Sequence, residues 1–256
     1  MNAKSAQKNP TEQDPTDVTG SLSDRLRTTQ TLLREALTEF EPSRIALSFS
    51  GAEDVVLIDL IRKLGLTVEV FSLDTGRLHS ETYAFFETIR KQYDQPIELL
   101  NPDPEGVQNL VKAKGLFSFY EDGHQECCSV RKVQPLRKKL ATLDAWITGQ
   151  RQDQSVTRSD VPLRQRDEAF STEENNLTKF NPLAQWTSAD IWHYIRENRV
   201  AYNPLHDRGY ISVGCQPCTR AVSPFEHERA GRWWWEEATQ KECGLHGQNI
   251  IPITQV

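Results

Sequence analysis

Residues 43–65 read SRIALSFSGAEDVVLIDLIRKLG, and this stretch decides the fold. Ser43 to Ser50 reads as a short buried strand, Gly51-Ala-Glu-Asp54 as a turn, and Val55 to Leu64 as a helix ended by Gly65. Working outward, Leu22 to Phe40 carries Leu22, Leu26, Leu32, Leu33 and Leu37 at roughly helical spacing. Downstream, Thr67 to Leu73 is a second strand, Leu78 to Tyr93 a second helix, and Ile97 to Leu100 and Ala145 to Thr148 are later strands. Ser188 to Asn198 reads as a helix with Ser188 as N-cap, and 158–179 as a polar surface loop or lid. Strands alternating with helices of this length predict an α/β domain with a twisted, mainly parallel sheet and right-handed crossovers. Ligands of such sheets bind beyond the carboxyl ends of the strands. Three loops should therefore converge, Ser48 to Asp54, Leu73 to Arg77 and Gly149 to Arg158.

The chain has 256 residues, of which 37% are hydrophobic and 26% charged, a polar balance that suggests a tail diluting a globular body. Residues 1–22 are polar, contain proline and lack large apolar groups, so disorder is expected there. A net charge of −6 argues against bulk nucleic acid as partner, since counterion release needs a dense basic surface. No apolar run reaches the ~20 residues of a membrane helix, and Asp59 interrupts the longest block. A charged-then-apolar leader is also missing, so the expected compartment is the cytoplasm.

Four constellations carry chemistry. Ser48-Phe-Ser-Gly-Ala-Glu-Asp54 places small residues between strand and helix, where backbone N–H groups could meet a phosphate or sulfate. The plainer reading is a tight turn capped by Asp54. Gly149-Gln-Arg151-x-x-x-Ser155-x-x-Arg158 offers close backbone approach at Gly149 and two forked donors; a solvated basic loop is the alternative. The five cysteines fall as Cys127-Cys128, Cys215-x-x-Cys218 and Cys243 alone. In a reducing compartment this arrangement calls for a metal site plus a reactive thiol. Adjacent Cys127 and Cys128 are unusual for tetrahedral zinc, since neighbouring side chains diverge, and would more easily reach two irons of a cuboidal cluster, with Arg131 and Lys132 close by. Cys243 lies in Lys241-Glu-Cys-Gly-Leu-His246, where cations favour a thiolate. The Trp233-Trp234-Trp235 run reads as packing or a homo-oligomer surface.

In this order, Ser-Phe-Ser-Gly-Ala-Glu-Asp, Cys-Cys-x-x-Arg-Lys-x-x-Pro-Leu, Gly-Gln-Arg-x-x-x-Ser-x-x-Arg, Gly-Cys-x-Pro-Cys-Thr-Arg and Lys-Glu-Cys-Gly-Leu-His resemble the assimilatory adenylyl-sulfate reductases. The match is to the bacterial branch carrying an iron–sulfur cluster and covers residues 40–249. The resemblance implies an adenine-nucleotide alpha-hydrolase-like fold, adenosine 5′-phosphosulfate as substrate and one [4Fe–4S] cluster on Cys127, Cys128, Cys215 and Cys218. It makes Cys243 the nucleophile, with His246 a second catalytic residue. Lys132, Arg158, Arg229 and Arg232 would surround the phosphosulfate, and Ser48, Ser50, Gly51, Leu73, Thr75 and Gly149 would contact the nucleotide. The implied division is 1–22 as tail, 23–232 as nucleotide and cluster domain, and 233–256 as a flexible segment bearing the nucleophile. An S-sulfocysteine formed on Cys243 would be resolved by a separate thioredoxin, because Cys215-x-x-Cys218 is assigned to the cluster. Three alternatives remain: a zinc-stapled binding module with no need for Cys243, a reductase of the 3′-phosphorylated or of both substrates, and an ATP pyrophosphatase-type adenylating or tRNA-thiolating enzyme. The last prefers Ser-Gly-Gly-x-Asp-Ser in the first loop, from which Ala52 and Val55 depart.

Overall fold

The computed structural model describes residues 20–155 and 158–237. Of the predicted tail 1–22, residues 1–19 lie outside the described residues, as do Cys243 and His246, while Ser21 is already the N-cap of the helix that begins at Leu22. One six-stranded sheet runs in the order β3-β2-β1-β4-β6-β5. Its strands are β1 (Ile45–Ser48), β2 (Glu69–Leu73), β3 (Ile97–Leu100), β4 (Ala145–Ile147), β5 (Arg164–Arg166) and β6 (Thr178–Phe180). All neighbours pair in parallel except β5 and β6. The chain winds from β1 outward through β2 to β3, then returns to place β4 on the other side of β1. That reversal opens a crevice beyond the carboxyl ends of β1 and β4.

Why β1 and the helix behind it are so apolar is clear from their surroundings. Helix α2 (Ala52–Lys63) packs against α1 (Leu22–Glu39), α3 (Ser80–Tyr93) and α7 (Ser188–Asn198), so every residue from Asp54 to Ile61 is buried. Phe49 is fully enclosed between Phe85 and Phe86, with ring centroids 5.6 and 5.2 Å away. Full burial of such a side chain stabilises the fold by about 1.5–3 kcal/mol. Asp59 earns its place in this apolar helix by accepting from Tyr93 at 3.2 Å and Tyr194 at 2.6 Å, with Lys63 at 2.7 Å. On the other sheet face, Trp146 is wholly buried beside Phe170 and donates to Asp167 at 3.0 Å.

Three sequence expectations are corrected. The stretch 158–179 is not simply a surface lid: it supplies β5 and the first residues of β6, and extends the sheet. Polar Arg164, Gln165, Arg166 and Lys179 hid this hairpin; Lys179 is buried, with its ammonium 4.9 Å from the Trp146 ring centroid. The N-cap of α7 is Thr187 rather than Ser188, because Thr187 and Asp190 exchange the paired hydrogen bonds of a capping box. The turn at 51–54 is also shorter than expected, with α2 starting at Ala52. Among the described residues no helix is long and apolar enough to cross a membrane.

Candidate functional site

Asp54 organises the crevice. Its Oδ2 accepts from the backbone N–H groups of Ser50 at 2.8 Å and Gly51 at 2.9 Å, and Oδ1 accepts from Gly149 N–H at 3.0 Å. The capped-turn reading of the first motif therefore holds for these two amides, which the carboxylate occupies. Gly149 lies tight against α2: a Cβ there would lie 2.5 Å from Asp54 Oδ1 and 2.7 Å from Glu53 Cβ. Burial and then the neighbouring Glu53 push Asp54 up to about 6.

An open cleft enclosing about 1330 Å³, mouth included, extends from these loops. Ser50, Gly51, Leu73 and Thr75 line it, and so do Lys132, Arg158, Arg229 and Arg232; Ser48 and Gly149 do not reach the wall. Four cations from three chain regions thus meet at one cleft. The Arg232 guanidinium lies 4.5 Å from the Trp233 ring centroid, and its Nε is buried with no hydrogen-bond partner among the described residues. Arg151, the other forked donor of its motif, is bonded inside the protein to Glu53, Asp153 and Glu228. Burial opposes ionisation of Glu53, yet Arg151, the Glu53 backbone N–H and Gln154 together hold that carboxyl below its ordinary range, whereas burial pushes Glu228 up. Glu228, Asn203, Trp192 and His206 also line the cleft, and no motif in the sequence marked them. Of the other wall residues, Ala52 and Glu53 lie inside Gly-Ala-Glu-Asp and Arg151 inside Gly-Gln-Arg, so the motifs did mark them.

Against the cleft lies a smaller cavity lined by all four cysteines Cys127, Cys128, Cys215 and Cys218, with Arg77, Arg131 and Lys132. Lys132 and Cys215 line both spaces. The first pair lies on the short helix Gln125–Cys128, which runs directly into a π-helical turn, Ser129–Val133, carrying Arg131 and Lys132. Such wide turns recur at functional sites because they re-aim side chains. Arg131 donates to Thr75 O at 2.7 Å, and the Thr75 hydroxyl is 3.2 Å from Cys215 Sγ. Burial opposes ionisation of Cys215, but Lys132, the Thr75 hydroxyl and Arg232 hold it below the usual thiol range. Cys218, by contrast, is pushed up to about 12 by burial and by Cys215, and burial raises Cys127.

Among the described residues no three ligand-type side chains close around a single ion. One zinc ion would need every sulfur ~2.3 Å from one point. A cuboidal iron–sulfur cluster instead takes each thiolate on its own iron, so its cysteines stand wider apart. Four thiols walling one cavity, with three cations to offset a polyanionic group, is a donor set that fits the second kind of cofactor.

Comparison with known proteins gives the same direction. The family described as phosphoadenosine phosphosulfate reductase domain matches residues 44–221. An adenosine 5′-phosphosulfate reductase of Pseudomonas aeruginosa (strain LESB58) is 58% identical over 223 residues, which cover 87% of this chain and 83% of that protein. Among solved structures, phosphoadenylyl-sulfate reductase from Candida auris in its phosphate complex superposes with a TM-score of 0.61 at 26% identity, covering 78% of this chain and 96% of that one. Candida glabrata FMN adenylyltransferase with ATP, at 16% identity and a TM-score of 0.55 over 76% of this chain and 61% of that one, shares the fold alone.

Proposed function

The chain belongs to the phosphoadenosine phosphosulfate reductase family, and from that premise we propose that it reduces adenosine 5′-phosphosulfate to sulfite and AMP in sulfate assimilation. The observation that carries this reading is the single cleft in which the nucleotide loops meet Lys132, Arg158, Arg229 and Arg232, backed by the cysteine quartet. Ser50, Gly51, Leu73 and Thr75 hold the nucleotide, while the cations face the phosphosulfate. Ser48 and Gly149 act from behind the wall, Gly149 by keeping Asp54 and α2 in register. Cys127, Cys128, Cys215 and Cys218 are the residues that would hold a [4Fe–4S] cluster, whose contribution when bound is a fixed local charge and a structural joint.

The chemistry belongs to the chain's own groups. The Cys243 thiolate attacks the sulfur of the phosphosulfate, a sulfur–sulfur bond forms, and the bond from sulfur to the bridging oxygen breaks with its electron pair leaving on AMP. Charge gathers on the departing phosphate, where preorganised arginines and Lys132 stabilise it more than they stabilise the ground state. His246 is the nearby group suited to hold a proton for this exchange. The product, S-sulfocysteine, then meets a dithiol: one thiolate takes the cysteine sulfur, sulfite departs, and closure of the donor disulfide returns the Cys243 thiol. A thioredoxin of the cytoplasm is the donor in this reading. The adenylating and tRNA-thiolating alternative is set aside by the family match. The 3′-phosphorylated substrate stays as a second reading, favoured by the likeness to the Candida auris enzyme, and competition between the two substrates decides it.

Cys243→Ser tests the scheme. The variant should keep iron, fold and substrate affinity yet lose turnover, because a serine hydroxyl is barely ionised where a cysteine with a pKa of about 8.5 or lower is appreciably thiolate. Wild-type protein given substrate without a dithiol should release one AMP per site and gain the mass of one SO₃. Sulfite production by the serine variant at a comparable rate would sink both the nucleophile and the two-step mechanism.

A further inference from the structure

The stretch 231–236, near the end of the described residues, is laced to the cysteine cavity. Gly231 O accepts from Arg220 N–H at 3.0 Å, Arg232 bridges Thr219, and Trp233 N–H donates to Cys218 O at 3.1 Å. This pairing is close enough that a Cβ on Gly231 would lie 2.3 Å from Arg220 O. Trp235 Nε1–H donates to Phe119 O at 3.1 Å. Glu236 finishes the lacing with both carboxylate oxygens: Oε1 accepts from His124 N–H at 2.8 Å, and Oε2 accepts from His124 Nδ1–H at 2.6 Å. His124 is only 1% exposed and stacks on Trp233 with centroids 4.1 Å apart. Each contact lands on one of the two segments that carry the cysteine pairs.

A carboxylate this enclosed is costly unless its oxygens are bonded, so the pair is not a solvated surface contact. It lies seven residues before Cys243. Fully extended, seven residues reach ~25 Å at most. The place and direction from which the chain departs therefore limit where the thiol can go. We infer that Glu236 is a positioning residue which, through His124, roots the nucleophile-bearing segment on the wall of the cysteine cavity. This rests on the reading of Cys243 as nucleophile. Removal of the root lowers the local concentration of the thiol at the phosphosulfate, and small misplacements of reacting groups can slow a reaction by up to ~100-fold.

The test uses anaerobically purified holo-protein carrying Glu236→Ala or Glu236→Gln. Three quantities are read: iron content, amide hydrogen exchange of the 231–237 peptide, and the single-turnover rate of AMP release from adenosine 5′-phosphosulfate without a dithiol. Glu236→Ala should keep its iron and its affinity for AMP, exchange at least tenfold faster in that peptide, and release AMP at least tenfold more slowly. Glu236→Gln, which retains an oxygen for the His124 N–H, should fall between. Unchanged exchange and AMP release in the alanine variant would overturn the inference, and so would slower release that merely tracks lost iron. If Cys243→Ser still makes sulfite, the nucleophile reading fails on its own, while exchange at 231–237 still reports whether the root exists.

Discussion

At the scale of single residues, the cleft separates side chains that read alike in the sequence. Arg151 and Arg158 share one motif and both line the cleft with Lys132, Arg229 and Arg232, yet Arg151 is held there by Glu53, Asp153 and Glu228, whereas Arg158 Nη1 donates to Gln154 Oε1 at 2.6 Å. Arg232 presents a buried guanidinium edge with an unpartnered Nε among the described residues, held over Trp233. Buried donors are normally bonded, so this edge fits an anionic guest. Replacement of Arg229 or Arg232 by alanine should weaken binding of the phosphosulfate by roughly 1.5–3 kcal/mol each, the worth of one charge-assisted hydrogen bond. AMP, which lacks the sulfate, should lose less. Calorimetric titration of both ligands checks this, and equal losses for the two would place these arginines away from the sulfate.

Elements meet through a few charged joints, and these set the response to acid. The N-terminal turn of α3 carries Glu81, which is bonded to Arg208 on the short helical turn His206–Arg208 beside the cleft. That hydrogen bond, helped by the Glu81 backbone N–H and by Ser80, holds the carboxyl at about 2 against an ordinary 4.5. A carboxyl lowered on folding adds stability that is complete above its unfolded value and fades as pH falls through the folded one. The joint should thus be intact above pH 4.5 and be lost as pH approaches 2. In denaturant titrations Glu81→Gln should be less stable than wild type above pH 4.5, with the difference shrinking as pH falls toward 2, so that its acid slope is flatter. The same acid slope in wild type and variant would remove Glu81 from this role. The helix carrying Cys127 and Cys128 shows a different element-level device. Its wide π turn puts Arg131 on the Thr75 loop and Lys132 between the two cavities, so a local irregularity couples the cysteines to the cleft.

Across the whole molecule, the cysteine cavity joins distant parts of the chain, since 86 residues separate Cys128 from Cys215. Metal-binding energy can be folding energy where ligands come from distant segments. Cys218→Ser, or removal of iron by a chelator, should lower the melting temperature as well as the iron content; wild-type melting with full iron in the variant would refute the ligand assignment. The parallel sheet was legible from residues 43–73 and 97–100 because buried strands and helices leave local periodicity. The β5–β6 hairpin was not, because its polar residues are accommodated by contacts made elsewhere, such as Lys179 over Trp146. By itself, the sequence determined the alternating order of strands and helices and the cysteine spacing, all properties of neighbours along the chain. Only the tertiary structure decided that Arg151 is held by three carboxylates, that Gly149 serves Asp54, and that Glu236 bonds His124. Those outcomes depend on charges and donors brought together from positions roughly 80 to 110 residues apart, and no local pattern encodes which of them will meet.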